Sequence, residues 1–314
     1  MSRHTFNYKA ISDWFSTGFF FENNHFYFNN NENIQIKNLI KQWHYSPRNI
    51  SFTKILNEFG NLIESLIEKE VEGKKIILPL SGGLDSRTLA AALKGKKNVI
   101  AFSYEFENGI KETEYARAIA ELNGWEFHSY SIQKGDLWDN IIELSKINQC
   151  MTEFTHPRQM AVINEISALG DIFLSGSMGD LLFDTFSIPN NSNLSTQVNK
   201  IMNLILKPGG IEISDALWKY WNLKGDHLGY LKEHIKEKLF NINISNPSSR
   251  IRAFKAIHYV NNWTNINMKI FSEHKPVYAP YHDKEMLEFI CTIPENHLAR
   301  RKIQIEYIKS RAPE

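Results

Sequence analysis

Between residues 71 and 186 short apolar runs alternate with helical periodicity, and this alternation constrains the fold more than any other feature. "KKIILPL", "NVIAFSYEF", "WEFHSYSI" and "DIFLSGSMGD" each begin as an apolar or alternating run of strand length. "DSRTLAAALKGKK" and "ETEYARAIAELNG" read as helices between them, the second closed by Gly124. Further helices are expected over 137–147 and 159–169. A βαβαβαβ order implies an α/β fold, a doubly wound, mostly parallel sheet with helices on both faces.

The flanks differ from this middle. Residues 1 to about 50 are rich in aromatics and asparagine, which suggests short strands with an Asn-rich turn at 29–33. "FTKILNEFGNLIESLIEKEVEG" places Ile55, Phe59, Ile63 and Ile67 four apart, so a helix ended by Gly73 is expected. From about 187 the strand pattern is lost, and helices broken by Pro208-Gly209-Gly210 and Asn246-Pro247 follow. The reading is therefore an N-terminal segment 1–70, a nucleotide-binding core 71–186 and a mostly helical, substrate-side region 187–314.

The turn after the first strand carries the chemistry. In an open parallel sheet ligands sit beyond the carboxyl ends of the strands. There "LSGGLDS" runs from Leu80 through Ser81, Gly82, Gly83, Leu84 and Asp85 to Ser86. Gly82 and Gly83 permit positive φ and let amides approach an anion, the following helix adds its positive end, and Ser81 and Ser86 offer hydroxyls. A Walker loop would need Gly-Lys-[Ser/Thr], and a dinucleotide fingerprint Gly-x-Gly-x-x-Gly; neither is present. Asp85 beside phosphate implies a divalent cation between them, and Mg²⁺ suits one or two carboxylates plus phosphate oxygens and water. The alternative is a plain glycine turn with Asp85 capping a helix.

"SGGLDS" at 81–86 resembles the pyrophosphate loop of the ATP pyrophosphatase superfamily, whose members cleave ATP between the α- and β-phosphates. The rest of the chain, from about 70 to 300, resembles the asparagine synthetase branch. "NVIAFSYEFENGIKETEYARAIAELNGWEFHSYSI" is similar through Phe102, Ser103, Glu107, Glu112, Glu114, Tyr115, Ala116 and His128. "DIFLSGSMGDLLFDTF" resembles Ser-Gly-Glu-Gly-x-Asp-Glu-Leu-Phe through Ser175, Gly176, Gly179, Asp180, Leu182 and Phe183. "APYHDKEMLEFICTIP" resembles a Val-Pro-Phe-Leu-Asp segment, and "ARRKIQIEYIK" a basic segment whose lysine, here Lys302, faces the phosphates.

The resemblance implies an AMP- and PPi-forming amide ligase that adenylates a small-molecule or peptidyl carboxylate for attack by ammonia or another amine. ATP and Mg²⁺ are the implied substrate and cofactor, with asparagine biosynthesis or a peptide- or β-lactam-type cyclisation as the pathway class. Asp85 and Asp180, at the ends of two strands, are expected to share the Mg²⁺. Ser175 and Gly176 are expected on the adenosine side, Tyr104 at the adenine edge, and Lys302 at the leaving pyrophosphate. Ser177 stands where the branch carries the glutamate of its second signature, and serine is no general base near neutral pH without a partner. Glu107, Glu112 and Glu153 are candidate substitutes, and a non-catalytic nucleotide-binding relative is the competing reading. The segment before residue 70 is expected to be too short for the branch's glutaminase domain, so the amine would come from elsewhere, such as a separate glutaminase.

Composition narrows the partners. The net charge is +1, so no overall field draws nucleic acid or an anionic membrane. Two cysteines make no disulfide framework, and no apolar run is of membrane-spanning length, so a cytoplasmic protein is expected. His156-Pro157 and His282-Asp283 read as loop hydrogen-bonders, and Phe19-Phe20-Phe21 as core or interface packing. A sheet edge left uncovered would favour a homo-oligomer.

Overall fold

The computed structural model describes residues 6–21, 42–107, 109 and 111–313. Two compact units interleave along the chain. One combines 1–45, 148–153 and 185–267; the other combines 46–147, 154–184 and 268–314. The chain therefore does not divide into three consecutive segments. Its last stretch belongs to the sheet unit, whereas its first belongs with the helical one.

Among the described residues the sheet unit holds five parallel strands: β1 (Ile76–Pro79), β2 (Val99–Phe106), β3 (Glu126–Ile132), β4 (Ile172–Leu174) and β5 (Val277–Tyr278). Their spatial order is β3-β2-β1-β4-β5. The first four are those expected from the apolar runs. β5 lies in the region read as helical, and its two residues are too few for any periodicity to reveal. It pairs in parallel with β4, Phe173 opposite Val277 and Leu174 opposite Tyr278. β1 is paired with β2 on one side and β4 on the other, so the strand order reverses beside it. That reversal opens a crevice at the carboxyl edge.

Both faces of the sheet are covered. On one, Ile77, Phe102 and Phe173 pack with Ile163, Ile166, Ile270 and Phe271. On the other, Phe59 of the helix Phe52–Val71 is fully buried and meets Phe183 at 4.9 Å and Tyr307 at 5.2 Å between ring centroids. Tyr307 lies on the closing helix Lys302–Arg311. That helix packs on the helices Leu84–Ala92 and Phe52–Val71, which brings it beside the loop that follows the first strand. The helix expected over 159–169 is a 3₁₀ turn, Arg158–Val162, running into a short α-helix, Ile163–Ser167.

The helical unit begins with a correction. Where short strands are expected, residues Tyr8–Thr17 form a helix, capped by Asn7 and ended by Gly18 at φ +83°. Its buried residues are Ser12, Asp13, Ser16 and Thr17, so the inward face is polar and apolar periodicity cannot report it. Asp13 meets His234 Nδ1 at 3.1 Å, and Ser16 meets His227 Nε2 at 3.0 Å. Phe19, Phe20 and Phe21 are buried, as core packing requires. The Asn-rich turn expected at 29–33 lies outside the described residues. A π-helix, Lys255–Thr264, also belongs to this unit. No described helix is long and apolar enough to cross a membrane.

Candidate active site

The loop between β1 and the helix Leu84–Ala92 is closed by its own serines. Ser81 donates its amide to Ser86 Oγ at 3.1 Å, and Ser86 Oγ lies 3.1 Å from Ser81 O and 3.2 Å from Gly83 O. Ser86 is buried, so its hydroxyl works as a clasp within the loop. Neither Gly82 nor Gly83 adopts positive φ, contrary to expectation. Gly83 is extended, at φ −73° and ψ 151°, and its amide donates to Ser81 Oγ. The amides of Gly82 and Leu84 have no protein partner among the described residues. Two donors and a helix N-terminus therefore face the same edge.

Asp85 does not cap that helix; Gly83 is the N-cap and no side chain caps it. Its carboxylate turns instead to the far end of the chain. Arg301 Nη2 donates to Asp85 Oδ1, and Gln304 Nε2 donates to the same oxygen at 2.9 Å. Gln304 is held in turn by Arg301 Nε, which donates to its Oε1 at 2.8 Å. Tyr281 OH reaches Asp85 O at 3.4 Å. Burial pushes the Asp85 carboxyl above its ordinary range, Asp180 adds to that, and Arg301 and Gln304 oppose it.

The glycines of the β4 turn are required by space. A Cβ on Gly179 would lie 2.2 Å from Asp85 Oδ1, and one on Gly176 would lie 3.1 Å from Asp85 Cβ. The backbone after β4 therefore presses directly on Asp85. Three non-glycine residues around this point take left-handed backbone: Met178 at φ 78°, Arg300 at φ 57° and Arg301 at φ 58°. Each such residue costs about 1–3 kcal/mol, and such strain clusters where a side chain must be aimed. Here the aimed side chain is the Arg301 guanidinium.

The cation expected from this basic segment was Lys302. Its side chain is exposed and its Nζ sits 4.2 Å from the Phe52 ring centroid. Arg301, one residue earlier, is the side chain that reaches Asp85, because the left-handed backbone turns that position inward. Asp180 is exposed on the short helix Gly179–Leu182, and Leu181 beside it is buried.

Ser175 is buried and accepts the Ser177 amide at 3.2 Å. Ser177 Oγ lies 3.2 Å from His282 Nε2. Desolvation lowers the His282 pKa to about 4, so the imidazole is neutral at ordinary pH. The histidine read as a loop hydrogen-bonder is thus the partner of the serine that lacked one. Among the candidate substitute acids, Glu153 belongs to the helical unit and pairs with Lys207 at 2.9 Å. Glu107 is exposed at the end of β2.

A cavity of about 540 Å³ opens beside the loop, lined by Leu80, Ser81, Phe102, Ser103, Tyr104, Glu105, Glu112 and Arg158 among others. Tyr104 is thus placed in the wall of a cavity that reaches Ser81. Arg158, which no sequence signal marks, stands at the same wall with its guanidinium 5.1 Å from the Phe106 ring centroid. Among the described residues no three or more His, Cys, Asp or Glu side chains converge as a ready-made metal site.

No curated protein sequence matches the chain. Among solved structures it is similar to the NH3-dependent NAD synthetase from Campylobacter jejuni subsp. jejuni NCTC 11168. The identity there is 20%, over 70% of this chain and 96% of that one, with a TM-score of 0.31. It is also similar to the NMN synthetase from Francisella tularensis, at 15% identity over 81% of this chain and 97% of that one, with a TM-score of 0.30. The asparagine synthase family model matches residues 64–306, a span that takes in the loop 81–86, the five described strands, Ser177, Arg301 and Gln304. The chain belongs to the asparagine synthase family.

Proposed function

We propose that this protein is an ATP-dependent amide ligase that adenylates a carboxylate, releases PPi and passes the acyl group to ammonia or another amine. Membership of the asparagine synthase family supports the ligase class. The observation that carries the reading is Asp85, gripped by Arg301 and Gln304 at the edge where the Gly82 and Leu84 amides have no protein partner among the described residues.

The adenosine fits the cavity beside Tyr104, with the triphosphate leading past Ser81 to the loop. Amides and the helix N-terminus meet phosphate oxygens there. Asp85 and Asp180 supply hard carboxylate oxygens, so Mg²⁺ fits if phosphate oxygens and water complete its shell. When bound, that cation neutralises phosphate charge. The substrate carboxylate attacks the α-phosphorus, and the bond to the leaving pyrophosphate breaks with its electron pair going to PPi. In this reading Arg301 offsets the charge that develops there, since positioning plus charge neutralisation carry most of such chemistry.

One observation favours a second reading, a nucleotide-binding relative without turnover. The Arg301–Asp85 pair occupies the acid that a metal would use. Asp85→Asn separates the two. In the ligase, titration calorimetry with Mg²⁺-ATP shows weakened binding and PPi release is lost. Unchanged binding and turnover in that variant overturn the assignment. Tight Mg²⁺-ATP binding by the unaltered chain, with no PPi release for any carboxylate, establishes the second reading.

A further inference from the structure

We infer that Ser177 and His282 form the proton-accepting relay for amine attack, standing where the family resemblance places a glutamate. The inference rests on the ligase reading and assigns its second step.

The geometry follows from strand pairing. β4 and β5 run side by side in parallel, with Leu174 opposite Tyr278. Each strand then turns over the same edge, Ser177 three residues beyond its strand and His282 four beyond its own. The two side chains meet at 3.2 Å, Oγ to Nε2, although they are 105 residues apart. Gly176, the residue just before Ser177, abuts Asp85 and the amide of Ser86. The pair therefore stands at the flank of the phosphate loop, where an acyl-adenylate carbonyl would lie. His282 is half-buried, and its only side-chain hydrogen bond among the described residues is to Ser177.

With the Nε2 atom unprotonated, Ser177 donates its hydroxyl to His282 and turns its lone pairs toward the incoming amine. The amine lone pair forms the C–N bond, and the carbonyl π electrons move to oxygen. One N–H proton passes to Ser177 Oγ as the serine's own proton passes to His282 Nε2. The carbonyl then reforms, and the bond to AMP breaks with its electron pair leaving on the phosphate oxygen. His282 returns the proton to water. Acyl-adenylate and amine thus give amide, AMP and one proton. Ser177 touches the reacting nitrogen; His282 is a positioning and proton-storing residue acting through it.

The test uses the full chain with ATP and labelled PPi, the twenty amino acids as carboxylate probes, and ammonia or hydroxylamine as nucleophile. ATP–PPi exchange reports adenylation. Hydroxylamine, a strong nucleophile, traps an acyl-adenylate with little need of a base. His282→Gln keeps the size and a hydrogen bond to Ser177 but takes up no proton. It is expected to exchange PPi and form hydroxamate, while ammonia-dependent amide formation falls on the order of 100-fold, the contribution of a general base. Ser177→Glu added to His282→Gln, which supplies a carboxylate directly, is expected to recover at least tenfold of that loss. Ammonia-dependent amide formation retained in His282→Gln overturns the inference and leaves the ligase reading standing. No exchange by the unaltered chain with any carboxylate overturns the reading, and the inference with it.

Discussion

Arg301 and Asp85, 216 residues apart, form an ion pair that ties the last helix to the first strand's loop. The guanidinium and Gln304 share one carboxylate oxygen, so the acid sits in a fixed orientation without any ligand. Arg301→Ala leaves the largely buried Asp85 carboxylate without its cation. The expected loss of folding stability is about 1–3 kcal/mol, the penalty for a buried group stripped of its partner. Urea denaturation of Arg301→Ala, Asp85→Asn and the double variant measures it. The double variant is expected to lose less than the sum of the singles, because the two side chains act as one unit. Strict additivity would show that the pair is not coupled.

Gly179→Ala tests the close approach over Asp85. The new methyl group would fall 2.2 Å from Oδ1, so the carboxylate must move or the turn must open. Mg²⁺-ATP affinity is expected to fall at least tenfold, with the far-ultraviolet circular dichroism unchanged. Retained affinity would mean that the turn yields without disturbing the acid.

The pH dependence of stability has a definite sign at His282. An unfolded histidine binds its proton near 6.5, whereas the folded side chain does so near 4 because burial disfavours the imidazolium. Over this window the unfolded chain binds more protons, so stability falls as pH is lowered from 6.5 towards 4. Asp85 acts in the opposite sense. Its folded pKa is raised above 3.8, so the folded chain binds more protons there and stability falls as pH rises through the window above 3.8. Thermal denaturation from pH 4 to 7 separates them. His282→Gln is expected to flatten the fall between 6.5 and 4, and an unchanged slope would refute the assignment.

Phe59→Ala tests the aromatic core behind the site. Phe59 is fully buried against Phe183, Phe289 and Tyr307. The expected cost is about 3–5 kcal/mol from lost transfer energy and a residual cavity. A cost below 1 kcal/mol in urea denaturation would show that the neighbours collapse into the space.

Legibility in the sequence followed signal length. Strands β1 to β4 were readable because their apolar runs are bounded by glycine turns or helical periodicity, and "SGGLDS" was readable as the turn between β1 and the helix Leu84–Ala92 because its glycines break the apolar run. β5 was not, since two residues carry no period, and without β5 nothing could place His282 beside Ser177. Between Arg301 and Lys302 the choice turned on left-handed backbone at Arg300 and Arg301, which neither composition nor spacing encodes. The helix Tyr8–Thr17 was hidden because its buried face carries Ser12, Asp13, Ser16 and Thr17, inverting the usual pattern.

The pairing of β4 with β5 spans only Phe173–Val277 and Leu174–Tyr278, and with the Ser175 amide donating to Tyr278 O it aligns the two turns that bring Ser177 to His282. A slip of one residue would invert every side chain of the edge strand. The loop 81–86 follows β1, on the opposite side of β4, and meets this edge through Tyr281, whose hydroxyl reaches Asp85 O. In the proposed ligase, a register error at this edge would therefore part Ser177 from His282 and shift the Tyr281 contact with Asp85 at one stroke.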